Sequence, residues 1–368
     1  MGIAWTLPGK YFISEKIHKQ EMDRIFSRHW LHAGREEEIR RNGDFIVRGI
    51  GGDSVILLRD HEGMVRAFHN TCRHRGTMLR TEDRGRLGKT IQCPYHAWTY
   101  LLDGRLCGAP SMDRTEGFAL DDFPLHSVAV QLWGGSIFIN LDPDPEPFER
   151  TFGEEPLEYF GQWRIGERRV HERIVYEIEA NWKIVVQNFN ECYHCPTVHP
   201  ELTRRSYFES GELIYLEQNV MGGTMEITEP RGGLTLSGEP SAPPLETMPE
   251  DEAGLAHYYT LFPNTLLSLT PAYVMIYTLW PQSPGRTRLV AEWLFHPEAM
   301  GDPNYDPQDA VRLWDLTNRQ DWEMCELTQL GVQSRAYTPG PYDDYHEGIL
   351  AAFDRRVLDA LGHEAMET

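Results

Sequence analysis

The stretch N-F-N-E-C-Y-H-C-P-T-V-H-P, residues 188–200, crowds one carboxylate, two thiols and two imidazoles into thirteen positions. The run N-W-K-I-V-V-Q-N-F-N-E-C-Y-H-C, 181–195, has no glycine or proline and reads as a helix. At about 100° per residue, Gln187, Asn190, Glu191 and His194 then share one face, within roughly 60° of one another. Cys192 points roughly 160° and Cys195 about 100° away from His194, which makes the cysteines poor partners for a metal on that histidine. They are expected to pack as small apolar residues, with a C-x-x-C redox pair as the alternative. His199 lies about 140° off the shared face of an unbroken helix, but Pro196 disfavours helical geometry at Cys195, and a restart there swings His199 back towards His194. Two imidazoles on one iron need one carboxylate more to make a facial triad with open positions for O2 and substrate. In the long helical segment 306–331, Asp321 lies within roughly 80° of Ala310, Leu313, Trp314, Met324 and Cys325, whereas Asp315, Glu323 and Glu326 point at least about 120° away. A carboxylate on an apolar stripe is costly unless it is paired or metal-bound, which makes Asp321 the third candidate ligand; a salt bridge is the bland alternative.

A second constellation pairs N-T-C-R-H-R-G with C-P-Y-H: Cys72 and His74, eighteen residues, then Cys93 and His96. Tetrahedral zinc accepts two thiolates and two imidazoles, but C-x-H is shorter than the usual steps of such sites. A Rieske [2Fe-2S] centre needs two thiolates on one iron and two imidazoles on the other, so two loops that each supply one of each are what it requires. Its work is to carry single electrons. Zinc remains the rival at these four residues, and red-brown against colourless protein separates the two.

The elements that must position these groups follow from the pattern. Residues 14–30 carry Ile17, Met22, Ile25, Phe26 and Trp30 at helical spacing. From 44 to about 145, short runs rich in branched and aromatic residues alternate with turn signals, which predicts an antiparallel β domain. The tract D-P-D-P-E-P-F-E-R, 142–150, reads as a linker, and the proline-rich acidic stretch 236–254 as a mobile surface loop. The predicted organisation is a helical segment 1–43 packing on the catalytic domain, a [2Fe-2S] domain 44–145 and a catalytic domain 146–368. With 368 residues and 40% hydrophobic content the chain can bury a large core. A formal charge of −21 argues against a nucleic-acid partner. No apolar run of membrane-spanning length and no signal peptide is present, so a cytoplasmic location is expected; the Met1-Gly2…Thr6 myristoylation pattern is read as coincidence. Six cysteines are too few for a disulfide scaffold. No convincing G-x-G-x-x-G follows a strand, so electrons from NAD(P)H must arrive through a separate reductase.

Taken together, C-x-H-R-G, C-P-Y-H-x-W and Glu191-x-x-His194-x4-His199 resemble the α subunit of a Rieske non-haem iron oxygenase, over nearly the full length. The resemblance implies an α+β fold: an all-β Rieske domain beside a catalytic domain with an antiparallel sheet flanked by helices. It implies Cys72, His74, Cys93 and His96 as cluster ligands and His194, His199 and Asp321 as ligands of a mononuclear Fe(II), with O2 as co-substrate. Glu191 becomes the carboxylate bridging electrons from the cluster of a neighbouring chain. The partners implied are a flavin or iron-sulfur reductase and further copies of the chain in a cyclic trimer, alone or paired into a dimer of trimers. The Glu191-Cys-Tyr-His-Cys run and the tract 262–289 resemble monooxygenases of glycine betaine, choline, carnitine and stachydrine, which implies hydroxylation or N-demethylation of a small quaternary ammonium compound with release of formaldehyde. Such a cation calls for an aromatic cage. The pool of candidates is Tyr258, Tyr259, Phe262, Tyr273, Tyr277, Trp280 and Trp293. Gln187 and Thr270 depart from the family pattern, at positions where glutamate and histidine are common. The alternatives are hydroxylation or O-demethylation of an aromatic acid by the same iron chemistry and, in another class, an electron-transfer Rieske protein or zinc-stabilised binding protein with no oxygenase activity.

Overall fold

The computed structural model describes residues 3–215, 219–228, 233–245 and 248–363. It divides into two compact units, Phe26–Pro145 and the combination of Met1–Ile25 with Glu146–Thr368. The helical reading of 14–30 meets a limit here. Helix Glu15–Glu21 runs into a π-turn Met22–Phe26 and stops, and Leu31–Arg35 is a strand paired with Ser136–Asn140. Residues 26–43 therefore belong to the β unit and not to a helical segment ending at 43. Every residue of that strand is buried, polar His32 and Arg35 included, so the short sequence Leu-His-Ala-Gly-Arg has no run of branched or aromatic residues to announce it.

The β unit is a seven-stranded sheet in the order Leu31–Arg35, Ser136–Asn140, Ser127–Trp133, Val65–His69, Asp53–Arg59, Asp44–Ile50, Arg84–Arg86, accompanied by a three-stranded sheet of Thr90–Gln92, Thr99–Leu101 and Leu106–Gly108. The Cys72 loop leaves strand Val65–His69, and the Cys93 loop joins Thr90–Gln92 to its antiparallel partner Thr99–Leu101. Both cysteines lie in the apolar core, with Phe68, Leu79, Trp98 and Tyr100 among their neighbours.

The larger unit is built on an antiparallel sheet in the order Arg169–Ile178, Arg286–Phe295, Val274–Ser283, Thr265–Leu269, Leu255–Leu261, Val220–Glu226, Glu212–Tyr215. Helix Pro307–Val332 packs on strand Arg169–Ile178 and on helix Trp182–Phe189. Its start is set by the Asp306 side chain, which accepts from the Gln308 N–H, and by Pro307 in the first turn. Asp309, near that start, is buried, where Asp321 is only partly so; Ser237 and Arg312 satisfy Asp309. Helix Trp182–Phe189 is capped by Asn181, which accepts from Lys183 N at 3.0 Å. A fully buried ion pair, Lys183 Nζ to Glu21 Oε1 at 2.5 Å, anchors its first turn to the N-terminal helix. The tract 236–254, read from the sequence as a mobile surface loop, packs against the body where it is described. Ser241 and Ala242 are buried, and Leu245 N donates to the Pro271 carbonyl.

Beneath the second turn of helix Trp182–Phe189, Asp354 accepts from Gln187 Nε2 at 2.7 Å and from Tyr342 OH at 2.8 Å. Burial raises its pKa to about 7, against the lowering effect of those two donors and of the Lys183 charge. A carboxyl with a raised folded-state pKa contributes stability that is present below the ordinary carboxylate pKa and is lost as pH rises through about 7. Asp354→Asn removes that dependence, and Gln187 can turn its amide to suit. Between pH 4 and 7 the stability of wild type should fall relative to the variant by a few kcal/mol, at about 1.4 kcal/mol per unit, which urea midpoints at several pH values measure.

Candidate active site

The helical reading of 181–195 holds only to Phe189. Asn190 closes the helix by turning its side-chain amide onto the Val186 carbonyl at 2.7 Å, with a second bond to Thr260 Oγ1 at 2.8 Å. Glu191 Oε2 then accepts from the N–H groups of Tyr193, at 2.5 Å, and His194, at 3.2 Å, which fixes a tight turn in place of continued helix. A new helical turn runs Cys195–Val198, with Pro196 tolerated in its first positions. The break comes before the residue that the proline suggests, and the restart brings His199 Nε2 to 3.1 Å from His194 Nε2. The same break overturns the expectation for the cysteines. In the turn, Cys192 and Cys195 form a disulfide, their Cα atoms 4.9 Å apart, and are not separate packing groups.

Asp321 Oδ1 completes the cluster, 3.2 Å from His194 Nε2 and 2.8 Å from His199 Nε2. The other nitrogen of each imidazole is engaged: His194 Nδ1 meets Glu191 Oε1 at 2.5 Å, and His199 Nδ1 meets Gln320 Oε1 at 2.8 Å. With both Nδ1 atoms donating to acceptors, two Nε2 lone pairs and a carboxylate oxygen face one another, an arrangement that repels unless a cation sits among them. Bonds of about 2.1 Å place ligands about 3.0 Å apart when they are mutually perpendicular and about 3.4 Å apart when tetrahedral. The observed separations of 2.8, 3.1 and 3.2 Å fit the former, the facial arrangement of a 2-His-1-carboxylate site. In the metal-free protein a proton takes the cation's place. Burial works against a charged His194, but Asp321 and Glu191 outweigh it and raise its pKa to about 10. Burial likewise favours neutral Asp321, and the two histidines overcome it to hold the carboxyl below its usual value.

The three residues open onto a cavity of about 200 Å³. From the helix that carries Asp321, Trp314, Thr317 and Asn318 line it at i−7, i−4 and i−3, and Trp322 joins them. Of the seven candidate cage residues, Tyr258 and Tyr277 reach this wall; Tyr259, Phe262, Tyr273, Trp280 and Trp293 pack elsewhere. Tyr277 OH donates to Asn318 Oδ1 at 3.2 Å, and burial raises the pKa of Tyr258 and Tyr277, so both rings stay neutral. The sequence reading missed Trp314 and Trp322. The spacing from Asp321 is the signal that finds Trp314. Four carboxylates line the cavity, Glu191, Glu212, Asp321 and Asp344, and among the described residues no lysine or arginine does. Neither departure from the family pattern touches the cavity: Gln187 binds Asp354, and Thr270 Oγ1 donates to the Tyr273 carbonyl at 2.8 Å.

In the β unit the two cysteine loops repeat one design. The Cys72 carbonyl accepts from Gly76 N at 3.0 Å and the Cys93 carbonyl from Ala97 N at 3.2 Å, with left-handed backbone at Gly76 (φ +76°) and Ala97 (φ +56°). A non-glycine residue held there costs about 1 kcal/mol or more, a sign that the loop shape is imposed by its surroundings. The turns aim His74 and His96 together, ring centroids 4.7 Å apart, with His74 stacked on Trp98 at 4.9 Å. His74 Nδ1 is buried and has no hydrogen-bond partner among the described residues, a cost that ligation would remove. Two buried free thiols and two paired imidazoles, one with an orphaned nitrogen, are a donor set that fits a Rieske cluster.

Comparison with known proteins decides the family. Residues 29–124 match the Rieske [2Fe-2S] domain, and residues 165–363 match the ring hydroxylating alpha subunit (catalytic domain). The glycine betaine monooxygenase oxygenase subunit of Pseudomonas aeruginosa (strain UCBPP-PA14) is 30% identical, over 98% of this chain and 91% of the relative. The chain belongs to the ring-hydroxylating alpha-subunit family. As a ring-hydroxylating alpha subunit it is the terminal oxygenase component of a Rieske non-haem iron oxygenase, an oxidoreductase with a [2Fe-2S] cluster, a mononuclear iron and O2 as co-substrate. The carnitine monooxygenase oxygenase subunit of Escherichia coli (strain K12) is 28% identical to this alpha subunit, over 91% of this chain and 86% of the relative. The quaternary ammonium Rieske monooxygenase CntA in complex with gamma-butyrobetaine superposes with a TM-score of 0.80 at 25% identity, covering 98% and 96% of the two chains. At 21% identity, naphthalene 1,2-dioxygenase from Rhodococcus sp. shares the fold with a TM-score of 0.78, over 97% of this chain and 94% of that one.

Proposed function

We propose that this oxygenase hydroxylates or N-demethylates a small quaternary ammonium compound of the glycine betaine type. Cys72, His74, Cys93 and His96 hold the cluster, and His194, His199 and Asp321 hold the iron. When bound, the cluster supplies single electrons and the iron activates O2 for oxidation of a carbon–hydrogen bond. The observation that carries the substrate class is the cavity beside the three ligands, walled by Tyr258, Tyr277, Trp314 and Trp322 and lined by the carboxylates Glu191, Glu212, Asp321 and Asp344, with no lysine or arginine among the described residues. Aromatic faces attract a trimethylammonium group by about 0.5–2 kcal/mol each and, unlike a carboxylate, do so without binding water. An aromatic acid brings an anion with no cation for the aromatic faces to hold, which disfavours that alternative, whereas the carboxylate of a betaine comes paired with its ammonium. Oxidation of an N-methyl group gives a carbinolamine, which collapses to the lower amine and formaldehyde.

The protein's own contribution is positional. Glu191 caps the turn that carries His194 and, as an acceptor-only partner, keeps the proton on Nδ1 so that Nε2 presents a lone pair. The same carboxylate is the proposed bridge to the cluster of a neighbouring chain in a cyclic trimer. Arginines at the cluster loops support that docking: Arg75 is exposed and lies over the Tyr95 ring at 5.3 Å, while the whole chain carries a charge of −21. Electrons reach the cluster from a separate flavin or iron-sulfur reductase, consistent with relatives named as oxygenase subunits. No helix of the described residues is long and apolar enough to cross a membrane; a cytoplasmic location is part of this reading.

A panel of glycine betaine, choline, carnitine, dimethylglycine and benzoate-type acids, assayed with a reductase for formaldehyde release and O2 uptake, tests the reading. At least one trimethylammonium compound should yield formaldehyde in step with O2 uptake. Turnover confined to the aromatic acids would overturn the substrate class and leave the iron assignment standing.

A further inference from the structure

Both imidazoles of the iron site are backed by a hydrogen-bond acceptor, but the two acceptors differ in kind. His194 Nδ1 meets a carboxylate, Glu191, whereas His199 Nδ1 meets the side-chain amide of Gln320 at 2.8 Å. His199 is 1% exposed, so water can serve neither of its ring nitrogens. Its other nitrogen, Nε2, lies 2.8 Å from Asp321 Oδ1. A neutral, buried imidazole in this setting has two self-consistent states. With the Gln320 carbonyl oxygen facing it, Nδ1 carries the proton and Nε2 offers a lone pair to a metal. With the amide turned over, Gln320 donates to Nδ1, the proton moves to Nε2, and His199 donates to Asp321, leaving neither free to ligate. The geometry has the carbonyl oxygen inward, the metal-ready state.

We propose that Gln320 is a positioning residue: it selects the metal-binding tautomer of His199 and so sets the affinity of the mononuclear site. The inference rests on the reading that His194, His199 and Asp321 hold the iron. Because Gln320 directly precedes Asp321 on helix Pro307–Val332, a single turn supplies one ligand and orients a second. An amide can serve both tautomers, which a carboxylate cannot. The site therefore stays hydrogen-bonded with and without metal, and the inward carbonyl oxygen is what favours the metal-ready state.

The test measures cobalt(II) affinity, by visible absorption, of the full chain with its cluster retained and its mononuclear site emptied by chelation. Gln320→Leu keeps the volume and removes the acceptor, and should weaken binding 10- to 100-fold, the usual effect of losing an outer-shell partner. Gln320→Glu can only accept, and should bind cobalt at least as tightly as wild type. Gln320→Leu also leaves a buried ring nitrogen unpaired and should lower the thermal midpoint of the metal-free protein, so cobalt affinity is read well below that midpoint; rescue of the affinity by Gln320→Glu is the readout that a merely structural role would not move. Cobalt affinity unchanged in Gln320→Leu, or Gln320→Glu as weak as Gln320→Leu, overturns the proposal. His199→Ala is the control that separates the two levels. If it too binds cobalt normally, the iron assignment itself has failed; if it loses cobalt while Gln320→Leu does not, only the role of Gln320 falls.

Discussion

Asp321→Ala is expected to leave the red-brown cluster intact and to reduce substrate oxidation more than about 100-fold, beyond what loss of an outer-shell partner costs. The reason is the symmetry of the three contacts. Among the described residues Asp321 is the charged acceptor that faces both Nε2 atoms, at 3.2 and 2.8 Å, so its removal leaves two neutral imidazoles to hold a divalent cation without compensating charge. Cys72, His74, Cys93 and His96, the proposed cluster ligands, sit on loops of the other compact unit and share no element with helix Pro307–Val332, so the cluster spectrum should not change. Optical spectra and reductase-coupled formaldehyde release on the same preparation check both halves. A bleached cluster would mean that the substitution unfolds the protein. Unchanged turnover would mean that Asp321 is merely a salt-bridged carboxylate.

The second large effect belongs to Glu191→Gln. Glutamine keeps the length of the side chain and can still accept from the Tyr193 and His194 N–H groups, so the turn survives. What it cannot do is accept at both oxygens. Its NH2 group turned towards His194 Nδ1 forces the opposite tautomer and puts the proton on Nε2, among the ligands. Reversal of a catalytic imidazole's tautomer costs on the order of 10⁴-fold in a known case, and a loss of about 10³-fold or more is expected here. Rapid mixing separates this from a simple folding defect. The cluster should be reduced by the reductase at the wild-type rate, yet fail to reoxidise when O2 and substrate are added. Normal reoxidation in Glu191→Gln would remove Glu191 from the electron path.

How much of this was legible beforehand depended on whether a signal is local. The meeting of the thiol–imidazole pairs at 72/74 and 93/96 could be read because each loop carries its own thiol and imidazole within three or four residues, and hairpin-forming strands flank the second. Asp321 could be read because a 26-residue helix makes the wheel dependable, and the same wheel carries Trp314, Thr317 and Asn318 into the cavity. The failures came where side chains compete with the backbone. Nothing in periodicity says that Asn190 will turn its amide onto Val186 or that Glu191 will cap a turn, so 181–195 read as one helix and the cysteines as separate. The strand Leu31–Arg35 was invisible for a different reason: it is five residues long and buries polar His32 and Arg35, with no run of branched or aromatic residues to show. Gln320 had no signal of its own, since its role exists only through a histidine more than a hundred residues earlier.

The most direct test of two unlike metal centres in one chain is to count iron and acid-labile sulfide in wild type and in His199→Ala. Wild type should contain about three irons and two sulfides per chain, and the variant about two of each, with the same cluster spectrum. A wild-type count of two irons, zinc in place of iron, or an iron content untouched by His199→Ala would contradict the account.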